Sequence, residues 1–144
     1  MTNYILKAEP GHINLSPVGF RLLAQDFFKC YLDFKEPRRF SFVPYFLCCR
    51  SIELGLKAIH LETYPQAFVK SKYCHDLVKL YKDLPKEKQI LLEDELELLS
   101  QINEIYKKKD FEYLNVHDAA TGFERFPDIV DLAQIVKKII AFDD

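Results

Sequence analysis

Little interrupts this chain: it has four glycines and seven prolines in 144 residues. Between these breaks, apolar residues recur at three- and four-residue steps and sustained strict alternation is missing. That pattern predicts an all-α protein. One-sided charge is also lacking. A formal net charge of −2 excludes a broadly basic nucleic-acid glove and leaves room only for a local basic patch. The cysteines, Cys30, Cys48, Cys49 and Cys74, form no CxxC and no Cys/His pair at a zinc spacing. They read as reduced thiols, mostly buried as small hydrophobes. Neither metal nor other cofactor is expected. A Gly-rich phosphate loop, a dinucleotide fingerprint, HExxH, an EF-hand loop and a nucleophile elbow are all missing. No stretch reaches the roughly 20 apolar residues of a membrane span. The opening segment, with Glu9, Pro10 and His12, does not read as a secretory signal. The expectation is a soluble, cytoplasmic protein with no membrane partner.

What is present suits one folded domain over residues 1–144, with 49% hydrophobic and 29% charged residues. Ser16-Pro17 predicts the start of a first helix running to about Phe34, with Leu22, Leu23, Phe27, Cys30, Tyr31 and Phe34 inward. A second helix is predicted from Ser41–Pro44 to about Thr63, stopped by Tyr64-Pro65. Residues 75–84 predict a short helix with Asp76 near its start. A long helix from Pro85 or Lys86 to about Lys107 follows, with Leu92, Leu96, Leu99, Ile102 and Tyr106 on its seam. The last helix begins after Pro127-Asp128. Residues 64–74 read as a crossing or lip, and 110–126 as mostly loop with one irregular turn near 115–120. The expected fold is an up-and-down bundle of four long helices plus a short helix.

The second helix carries the functional signal. At 100° per residue, Arg50, Glu53, Lys57 and His60 fall within an arc of roughly 80°. Most of the remaining circumference is apolar or small. Two readings stay open. The strip faces water, with Glu53 and Lys57 as a surface pair, or it lines a cleft where each charge needs a partner. Asp76 and Arg125 are the candidate partners from elsewhere in the chain. His75 and His117 are candidates for acid–base work, with capping or packing as the alternative at His75.

The run Arg50-Ser51-Ile52-Glu53-Leu54-Gly55-Leu56-Lys57-Ala58, then His75-Asp76-Leu77 with Leu80, resembles the HEPN (higher eukaryotes and prokaryotes nucleotide-binding) superfamily. Glu124-Arg125-Phe126-Pro127 looks like the Arg-Tyr-Pro element before the last helix of some members, with Phe126 replacing tyrosine. The resemblance implies a helical bundle that pairs into a homodimer. For some members it also implies a metal-independent endoribonuclease with an Arg-x4–6-His motif. None of Arg21, Arg38, Arg39, Arg50 and Arg125 has a histidine at that spacing, so cleavage is not carried over.

The leading expectation is therefore a non-catalytic HEPN-like module binding RNA, a nucleotide or a partner protein in a regulatory or toxin–antitoxin setting. Arg50, Glu53, Lys57, His75, Asp76 and Arg125 are its candidate cleft residues. Lys70, Lys72 and Tyr73 would add a basic edge with a stacking ring. The aromatic group Phe40, Phe42, Tyr45 and Phe46 reads as core or as half of an interface. The alternatives are a divergent endoribonuclease using His75 or His117, and a regulatory protein paired with a nucleotidyltransferase.

Overall fold

The computed structural model describes residues 14–113 and 115–141. His12 and the rest of the opening segment lie outside them, as do Leu114 and residues 142–144. Seven helices are present among the described residues: α1 (Ser16–Asp33), α2 (Val43–His60), α3 (Gln66–Tyr73), α4 (Leu77–Lys82), α5 (Glu93–Tyr106), α6 (Val116–Ala120) and α7 (Ile129–Ile140). A short 3₁₀ turn occupies Lys86–Lys88. The all-α expectation holds, but four long helices plus one short helix does not: the bundle has seven helices, five of them longer than seven residues. No helix among the described residues is long and apolar enough to cross a membrane.

Two added helices make the difference, α3 and α6, the latter where an irregular turn was expected, and α5 is also shorter than expected. Helix α3 lies where a crossing was expected; only Val69 and Tyr73 on it are buried, too few for an apolar stripe to show. Helix α5 starts at Glu93 rather than near Pro85, because tertiary bonds hold the preceding segment out of a helix. The Gln89 amide donates to the Lys82 and Leu84 carbonyls at 3.0 and 2.8 Å, and the Leu91 N–H donates to the Tyr81 hydroxyl at 2.8 Å.

Helix α2 is the central element; every residue from Ser51 to Ala58 is buried. It packs on α1 through small residues. The Ser51 hydroxyl donates to the Ala24 carbonyl at 2.6 Å, and Ala24 and Phe28 are fully buried. This close approach turns α1 away from the expected face. Leu22 is 56% exposed, and Leu23 and Cys30 are exposed too. Cys48 and Cys49 are buried and Cys74 is exposed, so two of the four thiols are core and two are not.

One turn further along the same face, α2 also meets α7, at Gly55. A Cβ there would lie 2.8 Å from Ile140 Cγ2 and 3.2 Å from Ile139 Cγ2. These methyls sit on branched carbons and cannot swing aside. Gly55→Val is expected to cost about 1–3 kcal/mol through overpacking, read as a lower urea midpoint. Gly19→Ala, with open space around its would-be Cβ, is the control and should raise that midpoint. A neutral Gly55→Val would refute the close packing.

Candidate functional site

The charged strip on α2 is sheltered. Glu53, 0% exposed, sits at its centre and accepts four hydrogen bonds. Lys57 Nζ (3.2 Å) and His75 Nδ1 (2.6 Å) reach Oε1; the Tyr106 hydroxyl (2.9 Å) and Arg50 Nη1 reach Oε2. Lys57 also donates to the Cys74 carbonyl at 2.8 Å, tying the strip to the end of α3. Arg50 lies 6.0 Å from the Phe27 ring centre. The three α2 residues meet because i, i+3 and i+7 share a helix face; the α3–α4 joint brings His75 and the end of α5 brings Tyr106.

Electrostatics follow from this geometry. Burial pushes the Glu53 carboxyl up, but Lys57, His75, Arg50 and Tyr106 together hold it below the ordinary carboxylate value. Burial first, then Glu53, pushes the Tyr106 phenol well above its usual range, so it stays a donor. Since the carboxylate can only accept, His75 Nδ1 is the donor and Nε2 is left to act elsewhere. Among the described residues, Glu53 is the only carboxylate paired with Arg50, Lys57 or His75. One negative charge thus faces two permanent cations and a histidine. The surplus is positive.

Two hollows open on this surplus. The larger, about 650 Å³, lies between α1, α2 and α3 and includes Phe20, Leu54, Leu61, Val69 and Lys70. The smaller, about 290 Å³, is walled by Phe46, Tyr106, Phe111, Lys109 and Glu112. Arg50 and His75 line both, and no other described residue does.

Of the expected cleft residues, Arg50, Glu53, Lys57 and His75 converge. Asp76 and Arg125 do not. Asp76 caps α4, accepting from the Lys79 N–H at 3.1 Å and from Asn103 Nδ2 at 3.0 Å. Burial raises its carboxyl, yet those donors pull it below its ordinary value. Arg125 forks onto Asp118, with Nη2 2.6 Å from Oδ2, and reaches Asp110 Oδ2 at 2.9 Å. It fastens the 110–126 segment to itself instead of closing the cleft.

His60, on the same strip, is structural: its Nε2 donates to the Leu80 carbonyl at 2.8 Å and its ring lies on Tyr73 at 4.7 Å. Tyr73 is consequently buried and offers no stacking surface, and Lys72 pairs with Asp83. Phe40, Phe42 and Tyr45 pack against Phe126, while Phe46 stays partly exposed at the smaller hollow. His117 is exposed outside both hollows. Tyr106 and the Cys74 carbonyl are members that sequence reasoning missed. The signal for Tyr106 was available, since a tyrosine on an apolar seam needs a partner for its hydroxyl.

Fold and site together define an all-α bundle that shelters one carboxylate inside a ring of four hydrogen-bond donors, Arg50 and Lys57 among them. Comparison with protein-family models, with curated proteins and with solved structures finds no match.

Proposed function

We propose that this protein is a non-catalytic HEPN-like module that binds a phosphate group of RNA or a nucleotide on Arg50 and His75. One observation carries the reading: a single buried carboxylate, Glu53, holds more positive charge than it neutralises, at the mouths of two hollows. A half-exposed guanidinium, pinned from behind, offers an anion charge-assisted bonds with little ordering cost, and His75, held through Nδ1, adds a second donor at Nε2 in its imidazolium form. Lys57, whose amine is already shared by Glu53 and Cys74, acts as internal support. The homodimer is part of the proposal and rests on the resemblance.

Filter binding of single-stranded RNA over a salt series tests the reading. Affinity is expected to fall with salt, and Arg50→Gln should weaken binding and flatten the log–log slope by about 0.7 for one lost phosphate contact. RNA recovered intact from the same incubations is expected, although the His75–Glu53 contact is the geometry a divergent nuclease would use. Binding that is absent, or indifferent to salt, overturns the proposal.

A further inference from the structure

We infer, resting on the phosphate-binding reading, that the ligand is a phosphodiester joining two unpaired nucleotides, with the phosphate on Arg50 and His75 and one base in each hollow. Among the described residues, the two hollows share Arg50 and His75 and no other lining residue. A group held on that shared ridge therefore has space on both sides. A terminal phosphate carries one substituent and would leave one hollow empty. An internal phosphodiester carries two.

The linings differ as two base sites would. The smaller hollow presents Phe46, exposed enough to be a stacking face, with Phe111 behind it at 6.4 Å between ring centres. Its wall carries Lys109 beside Glu112, so the two charges offset each other, and the Glu112 carboxylate suits the amino edge of a base. The larger hollow pairs apolar walls with Gln66, Lys70 and Ser71, side chains that can bond a base edge or sugar. A duplex is excluded by this arrangement, because its bases are stacked on each other and turned away from such walls.

The decisive comparison is between a short oligoadenylate, an abasic oligomer of equal length and charge, AMP, and an adenine–uracil duplex, all read by fluorescence anisotropy competition. Ribo- and deoxyribo-oligomers are run side by side, and either one exceeding its abasic counterpart by about tenfold or more is the expected result. Phe46→Ala, assayed at a temperature where the variant is folded, should remove most of that excess while leaving the abasic oligomer's affinity unchanged. Equal affinity for oligomer and abasic strand, or for oligomer and AMP, overturns the two-base inference with the phosphate site intact. Failure of every probe to bind, or indifference of all of them to Arg50→Gln, overturns the phosphate site itself. The wild-type comparison stands without the variant.

Discussion

Replacing Glu53 with alanine is expected to cost about 3 kcal/mol of unfolding free energy, the low end of the range for removing one member of a buried ion cluster. The residue is fully buried and accepts from Arg50, Lys57, His75 and Tyr106. Alanine leaves Lys57 with only the Cys74 carbonyl and leaves the Tyr106 hydroxyl unmatched in the interior. Arg50 and His75, with side chains 34% and 47% exposed, can turn to water, which keeps the loss from the top of the range. Glu53→Gln preserves the volume and should still lose most of the stability, separating charge from packing.

The effect depends on pH in a definite direction. The folded carboxyl titrates below its ordinary value of 4.5, so its contribution is complete above that pH and is lost as pH falls through the folded value. Urea denaturation at neutral pH and again well below pH 4.5 should show the wild type and Glu53→Gln converging in acid. A loss under about 1 kcal/mol at neutral pH would place Glu53 among ordinary surface ion pairs.

Much of the bundle was legible because its boundaries are written locally. Pro17 and Pro44 sit in the first turns of α1 and α2, and Asp128 caps α7 by accepting from Val130 and Asp131 N–H groups. What was illegible is tertiary. The segment after Pro85 has a helical pattern, but hydrogen bonds from Gln89 and to Tyr81 hold part of it otherwise. On α1 the larger leucines read as the core face. The structure buries Ala24 instead, because the Ser51 hydroxyl and Gly55 let two backbones approach where a leucine would not fit.

The same division runs through the site. Arg50, Glu53 and Lys57 share one helix, so a period of 3.6 residues was enough to group them. His75 was singled out as a histidine at a helix start, an acid–base candidate or a capping residue, and again by its His-Asp-Leu run, and the structure puts its Nδ1 on Glu53. Pairings across the fold carried no such ruler. Asp76 had nearer donors in its own helix turn and in Asn103, and Arg125 had nearer acids in Asp118 and Asp110.

Arg125 is therefore expected to behave as a clasp and not as a ligand contact. Arg125→Ala should cost about 2 kcal/mol, since it takes the cation from Asp118, a carboxylate 1% exposed, while loss of a guanidinium that is itself 34% exposed lets water reach the group left behind. In the wild type the guanidinium's hydrogen bonds hold the Asp118 carboxyl below its ordinary 3.8 against the opposing pull of burial. Its stabilisation is present above that pH and is lost as pH falls through the folded value, so the penalty should shrink in acid. The double variant Arg125→Ala/Asp118→Ala should be more stable than Arg125→Ala alone, because no buried charge remains to be matched. RNA binding by Arg125→Ala, assayed where the variant is folded, separates the two roles. A clasp touches no phosphate and releases no counterion, so the salt slope should equal the wild-type value, whereas Arg50→Gln flattens it. A slope flattened equally by both variants would return Arg125 to the ligand face and contradict the pairing with Asp118.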